Sequence, residues 1–159
     1  MEAALIATQL EFFDIKVPLL GTNGWNSPDL VRWARSSIEG SMFVDGFFLD
    51  SHNPNMQDFV NRYQQRYQGR PSLFAAQAYD AAQLVLDAVR RGAMSGRQVQ
   101  AHMARAHDLP TLAGPAHFNA QGVLNRRMIV LQVKEGRIVP YDAQNGQMPA
   151  DGAEVPRIP

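Results

Sequence analysis

The sequence contains no cysteine, and this absence limits both its covalent and its metal chemistry. No disulfide can form, and no thiolate is present to bind a metal ion. A chain without thiols is compatible with any compartment, and it suits an exported protein that must avoid unwanted oxidation.

An excess of charge is also missing, because 15 Lys and Arg residues balance 15 Asp and Glu residues among 159. A nucleic-acid surface needs a basic excess, so we expect no nucleic-acid partner. No apolar run has the length of a membrane span, and no signal peptide is recognisable in the sequence. With 45% hydrophobic and 19% charged residues, the composition predicts one folded domain with its own core.

Catalytic and metal-binding patterns are likewise absent from the sequence. The four histidines have no carboxylate at metal-ligand spacing, and there is no nucleophile elbow or Walker loop. Asp45, Asp50 and Asp80 stand on different predicted elements, so they indicate no carboxylate pair. A small hydrolase would lack its triad. We therefore expect a protein that is not an enzyme and that uses no metal and no cofactor.

The most informative stretch of the chain is residues 17–29. A short apolar run ends at Gly21, as a buried parallel strand does. Ser27, Pro28 and Asp29 then form a helix start, with a capping hydroxyl, a proline that needs no N–H partner, and an acid at the positive end of the helix.

Between the strand and the helix, Gly21 and Gly24 allow a sharp turn that carries Thr22, Asn23 and Trp25. Small ligands bind at the carboxyl ends of strands in open α/β sheets, so this turn is a candidate ligand site. The spacing alone leaves a second interpretation open, in which the turn is an ordinary connection and Trp25 packs against its own helix.

The rest of the chain reads as alternating helices and strands, followed by hairpins. Hydrophobic periodicity predicts helices at about 3–14, 29–37, 55–67, 72–91 and 96–106. It predicts strands at 17–20, 42–48, 116–118, 127–133 and 137–139, and a loose tail from Tyr141.

Two features of this pattern predict exposed apolar surface. Helix 72–91 is apolar nearly all round and needs cover on two sides. The first helix leads into a strand with no strand before it, which indicates a start in the middle of a domain. Open strand edges and uncovered apolar faces drive association, so we expect dimers or larger oligomers of this chain.

Several sequence segments together resemble one family, the type I periplasmic ligand-binding proteins, and within it the branched-chain amino acid ABC-transporter receptors. The resemblance spans about residues 3–140. It rests on the order of five segments, namely Leu5–Leu10, Lys16–Trp25, Tyr67–Pro71, Ala76–Ala82 and the Gly114, Phe118, Asn119 and Gly122 positions.

The resemblance implies an α/β fold that is part of two doubly wound, Rossmann-like lobes joined by three hinge strands. Residues 1–48 would form a βαβ segment of the C-terminal lobe, and residues 49–113 a helical segment that crosses to the N-terminal lobe. Residues 114–141 would return as strands of the C-terminal lobe, and residues 142–159 would form the tail. The crossovers at residues 50–52 and 112–114 should then lie side by side.

The same resemblance implies a function for the turn. The chain would be the solute-binding component of an ABC-type uptake system, with a membrane permease as partner. It would be periplasmic or extracellular, with a lipid anchor as an option in a longer protein. Its ligand would be a small amino-acid-like, polar or aromatic molecule bound between the lobes by Asn23, Trp25 and Thr22. Tyr79 would be a further ligand-binding residue or, alternatively, a residue of the core. Relatives often have an acid where Asn23 stands, and that acid meets the ligand's ammonium group; an amide provides no ion pair. The alternative is a regulatory lipoprotein of the same fold that binds a protein partner, such as a cell-wall synthase.

Overall fold

The structure is a computed structural model that describes residues 2–142. Its helices are α1 (Glu2–Phe12), α2 (Pro28–Ala34), α3 (Pro54–Tyr67), α4 (Leu73–Arg90) and α5 (Gly96–Arg105). Its strands are β1 (Leu20–Gly21), β2 (Met42–Asp45), β3 (Leu109–Thr111), β4 (Gly114–Phe118), β5 (Leu124–Asn125), β6 (Ile129–Lys134) and β7 (Arg137–Pro140). The predicted tail from Tyr141 lies almost wholly outside the described residues.

The strands form two small sheets. The larger sheet has the order β1-β2-β6-β7, in which β1 and β2 are parallel and the other pairs are antiparallel. The smaller sheet has the order β3-β4-β5 and is antiparallel throughout. The α/β class and the strand-helix-strand unit of β1, α2 and β2 are thus confirmed.

Two separate apolar clusters hold these elements together. The first lies between the larger sheet and the helices α1 and α2, and it includes Ala7, Ile38, Phe43 and Leu131. The second lies between α3, α4 and the segments that follow β2 and β3, and it includes Phe47, Met56, Phe59, Ala76 and Leu112. The larger sheet thus has one core with α1 and α2, and the helices α3 and α4 have a second core of their own.

Local signals predicted the helix starts correctly. The Ser27 hydroxyl accepts a hydrogen bond from the Asp29 N–H at 3.2 Å, and Pro28 is the first residue of α2. Ser72 caps α4 in the same way through the Ala75 N–H. A capping side chain lies within a few residues of its helix, so the sequence alone contains the whole interaction.

The first strand is shorter than predicted. Only Leu20 and Gly21 pair with β2, and Val17 is half-exposed instead of buried. Pro18 has no N–H to donate to a neighbouring strand, so pairing begins only at the Leu19 carbonyl, which accepts from the Met42 N–H. The predicted strand 42–48 likewise stops at Asp45, because the Asp45 carboxylate accepts the Phe47 N–H and turns the chain out of the sheet.

The apolar faces of two helices were predicted only in part. In α1, Ala4 and Ala7 are buried, but the apolar Leu5 and Ile6 beside them are exposed. In α4, one side is buried, whereas Phe74, Val85 and Val89 on other sides are exposed. Within residues 2–142, the buried stripe of α4 follows Ala76, Leu84 and Ala88, and apolar residues on both predicted sides stay exposed. The pattern also failed to predict β3 and β5, which are too short to show a period.

Candidate functional site

The turn after β1 has a compact backbone and a tryptophan folded back on it. Residues Asn23–Trp25 form one 3₁₀ turn, closed by a 2.9 Å hydrogen bond from the Trp25 N–H to the Thr22 carbonyl. The Trp25 ring lies directly on Gly21, where a Cβ atom would come within 2.2 Å of the ring. Trp25 is half-buried and packs against the first apolar cluster. Its inner face therefore has a structural role, and only its outer part can meet a ligand.

Thr22 and Asn23 are exposed on the same turn. Neither side chain makes a hydrogen bond with another of residues 2–142, and Thr22 does not cap the turn that follows it. A hydroxyl and an amide at the carboxyl end of a strand are thus free to bind an added solute. Trp25 and these two residues are brought together as the sequence predicted.

Tyr79 is placed in a different neighbourhood. Its ring lies 4.8 Å from the ring of Phe59, and it packs against the second apolar cluster, whereas Trp25 packs against the first. Its hydroxyl accepts a 3.1 Å hydrogen bond from Arg62. These contacts give Tyr79 a packing role between α3 and α4 that needs no ligand.

Asn26, which the sequence analysis did not single out, anchors the turn to the next strand. Its amide nitrogen donates to the Asp45 carboxylate and to the Phe47 carbonyl, each at 2.8 Å. Nothing in the sequence marks this role, because Asn26 stands beside the capping residue and reads as part of the helix start. Its partners are about 20 residues away and meet it only through the parallel pairing of β1 and β2.

Asp45 is buried at the end of β2. One carboxylate oxygen accepts from Asn26, and the other accepts from the Phe47 N–H at 3.0 Å. Burial raises the pKa of Asp45 above its ordinary value, although the hydrogen bonds and the positive charge of Arg126 act in the opposite direction. Both oxygens of the carboxylate thus accept hydrogen bonds that hold the backbone in place where it leaves the sheet.

Arg126 links this strand end to α4. Its guanidinium donates to the Asp80 carboxylate at 3.2 Å and lies 4.5 Å from the centre of the Phe47 ring. Asp80 is buried, and it also accepts the Leu112 N–H at 2.8 Å. Burial raises the pKa of Asp80 too, against the lowering effects of that N–H and of Arg126. We call Asp45, Asp80 and Arg126 the junction triad.

The two predicted crossovers also meet at this junction. Ser51 from the first crossover and Leu112 and Ala113 from the second line one cavity. Their proximity agrees with the expectation for hinge segments, and the assignment of the chain to two lobes stays a prediction.

Residues 2–142 contain no group of three histidine or acidic side chains that could hold a metal ion. No helix within that range has the length and hydropathy needed to cross a membrane.

A family model described as Periplasmic binding protein matches residues 2–137. The chain therefore belongs to the periplasmic binding protein family, and its fold corresponds to part of the type I fold of that family. The recognition made from the sequence is confirmed. None of the curated proteins gives a significant match.

Solved structures extend this comparison. A leucine binding protein from Thermotoga maritima is 24% identical with a TM-score of 0.75, over 89% of this chain and 41% of that one. A putative branched-chain amino acid ABC transporter from Rhodospirillum rubrum is 25% identical with a TM-score of 0.77, over 87% and 41%. A branched-chain amino acid transporter substrate binding protein from Streptococcus pneumoniae, solved with isoleucine, is 25% identical with a TM-score of 0.71, over 88% and 42%. The chain thus spans about two fifths of the length of these relatives.

The contact between Gly21 and Trp25 makes a first prediction. Gly21→Ala places a methyl group inside the tryptophan ring, so the ring must leave its position and we expect a loss of about 1–3 kcal/mol in the free energy of unfolding. Gly24→Ala is the matched control, because the nearest atom to its added methyl is 4.0 Å away. Chemical denaturation followed by tryptophan fluorescence measures both. Equal stability of the two variants would contradict the packing of Trp25 on Gly21.

The junction triad makes a second prediction, on pH dependence. In Arg126→Gln, Asp80 loses its ion-pair partner and Asp45 loses a nearby positive charge, so both folded-state pKa values rise further above the unfolded-state values. A raised carboxyl pKa lowers stability as the pH rises through it. We expect the variant to lose about 3 kcal/mol at pH 8 and clearly less at pH 5, because protonation of the carboxyl groups increases as the pH falls.

Thermal or urea unfolding at the two pH values tests this dependence. Arg97→Gln, at an exposed position on α5, is the control and should change stability little at either pH. A loss in Arg126→Gln that is the same at pH 5 and pH 8 would show that the two carboxyl groups do not depend on Arg126.

Proposed function

We propose that this chain is part of the solute-binding component of an ABC-type uptake system and that it is not an enzyme. The observation that carries the proposal is the family match over residues 2–137. Members of this family are binding proteins found in the periplasm or outside the cell, and their partner is a membrane permease. We place the present protein in the same compartment with the same kind of partner.

The proposed solute is a small amino-acid-like molecule, or a related polar or aromatic one, held in the cleft between two lobes. The relative from Streptococcus pneumoniae that was solved with isoleucine supports this class of ligand. In the present chain, the free hydroxyl of Thr22 and the free amide of Asn23 would hydrogen-bond polar groups of the solute. The exposed part of the Trp25 ring would cover its apolar part, with Tyr79 as a more distant contributor.

Asn23 also bears on which solutes fit. An amide can accept a hydrogen bond from an ammonium group, but it does not neutralise the charge. Asp45, the nearest acid on the neighbouring strand, already has both oxygens engaged by Asn26 and the Phe47 N–H. Among residues 2–142, this strand end therefore offers no free carboxylate from Asp45, and we expect an uncharged or anionic solute to bind more tightly than a plain amino acid.

Calorimetric titration of the 159-residue chain with leucine, isoleucine and benzoate tests the proposal. Asn23→Ala should weaken the binding of the probe that binds best by several-fold to tens-fold, the effect of losing one hydrogen bond in a desolvated site. The melting temperature without ligand should change little, because Asn23 is exposed and makes no internal side-chain hydrogen bond.

Asn61→Ala is the matched control, since it makes the same chemical change at an exposed position on α3. It should leave the affinity unchanged. Unchanged affinity in Asn23→Ala would remove Asn23 from the site, and a large loss of ligand-free stability would favour a purely structural turn. No binding of any solute in a broader screen would favour a regulatory module that binds a protein.

A further inference from the structure

The cavity that Ser51, Leu112 and Ala113 line does not include the Thr22–Trp25 turn and lies between the two apolar clusters. Its volume is about 600 Å³, within the range of small-molecule sites. One wall is made by Phe48 and Ile129, which belong to or pack on the first cluster. The opposite wall is made by Met56 and Leu112, which belong to the second.

The strand pairing explains why these residues meet. Ile129 at the start of β6 pairs with Asp45 at the end of β2, so the chain after β2 leaves the sheet beside Ile129. The last described residues close the cavity from the β7 side, where the Tyr141 N–H donates to the Val130 carbonyl at 2.8 Å.

Four polar side chains on the wall have hydrogen-bond donors without acceptors among residues 2–142. The Ser51 oxygen accepts from the Asn53 N–H, and the Asn53 oxygen accepts from the Asn55 N–H. These bonds leave the Ser51 O–H and the Asn53 amide N–H groups free to donate. The other two donors are the Tyr141 hydroxyl and the Arg127 guanidinium, and Arg127 makes no ion pair with a described residue.

Arg127 is also the one charged side chain among the described residues that line the cavity. An apolar space with four free donors, one of them cationic, and no acid within the described part of its wall complements a molecule with an apolar body and an anionic end. A cationic molecule would meet no carboxylate of residues 2–142 there, and a purely apolar molecule would leave all four donors unpaired.

We propose that this cavity, which we call the junction cavity, binds a small apolar monocarboxylate. The carboxylate accepts hydrogen bonds from Arg127, Ser51 and Asn53, and the apolar body lies between Phe48, Met56 and Leu112. The site is separate from the turn that carries Thr22 and Asn23. It does not depend on the proposed transport function.

Two methionines on the wall make the proposal directly measurable. In the 159-residue chain labelled at the methionine methyl groups, titration with hexanoate should shift the resonances of Met56 and Met128, which line the cavity. The resonances of Met94 and Met103, which do not line it, should stay unchanged. A ligand of this size should bind with a dissociation constant in roughly the millimolar range.

Matched ligands and variants isolate the role of the charge. Hexanol and hexylamine have the same apolar body and should shift Met56 and Met128 more weakly than hexanoate at equal concentration. Arg127→Gln should raise the dissociation constant for hexanoate about fivefold or more, since a charge-assisted hydrogen bond at a partly exposed group is lost. Arg97→Gln, which removes an exposed arginine on α5, should leave it unchanged.

Asn23→Ala separates this site from the turn after β1. It should leave the hexanoate response of Met56 and Met128 intact, whatever it does to the binding of amino acids. The proposal is overturned if hexanoate shifts neither methionine, if hexylamine binds as well as hexanoate, if Arg127→Gln binds hexanoate normally, or if the response is lost in Asn23→Ala.

Discussion

One guanidinium pairs with a buried carboxylate and adds positive charge near a second one, at the place where the larger sheet meets the helices. Asp45 ends β2, Asp80 lies in the middle of α4, and Arg126 lies between β5 and β6. The triad has a net charge of −1 when both acids are ionised, in a place where ions are poorly solvated. Such groups contribute little to stability as such, but each is costly to leave unpaired, so they favour one arrangement of the segments that carry them. The way in which β2, α4 and the segment between β5 and β6 meet depends on this need to pair the buried charges.

The candidate solute site depends on the junction through one chain of hydrogen bonds. Asp45 accepts from Asn26, and Asn26 directly follows the turn that presents Thr22, Asn23 and Trp25. Trp25 in turn rests on Gly21 and the first apolar cluster, which fixes the turn from its other side. The exposed polar side chains are therefore held by buried residues that no solute needs to touch. A scaffold of this kind suits recognition, since the binding groups are positioned before a ligand arrives.

The sequence predicted those features whose causes are local. Ser27, Pro28 and Ser72 define their helix starts within a few residues, and α3, α4 and α5 end close to where their patterns indicate. The strand predicted from Val17 is shorter in the structure because Pro18 lacks an N–H, so pairing with β2 begins only at the Leu19 carbonyl. In α1, the helical period was present, but the contacts with α2 select Ala4 and Ala7 and leave Ile6 exposed.

The residues in and around the candidate site also separate into those whose positions have local causes and those that meet only in the folded chain. Thr22, Asn23 and Trp25 were predicted because one short turn carries all three. The junction triad was not predicted, because its members are 35 and 46 residues apart and meet only in the folded chain. Asp45 and Asp80 stand on different predicted elements and so indicate no pair, and Arg126 has no motif of its own. A buried charge network between distant segments leaves no periodic signal in the sequence.

Hydrogen exchange of two backbone amides tests most directly whether the triad acts as one unit. The Phe47 N–H is held by Asp45, and the Leu112 N–H is held by Asp80. In Arg126→Gln, both amides should exchange faster by similar factors, and by more than the Val133 amide, which is bonded inside the sheet to the Ser41 carbonyl. Faster exchange of Leu112 with unchanged exchange of Phe47 would show that the two carboxylates are independent and would contradict the account.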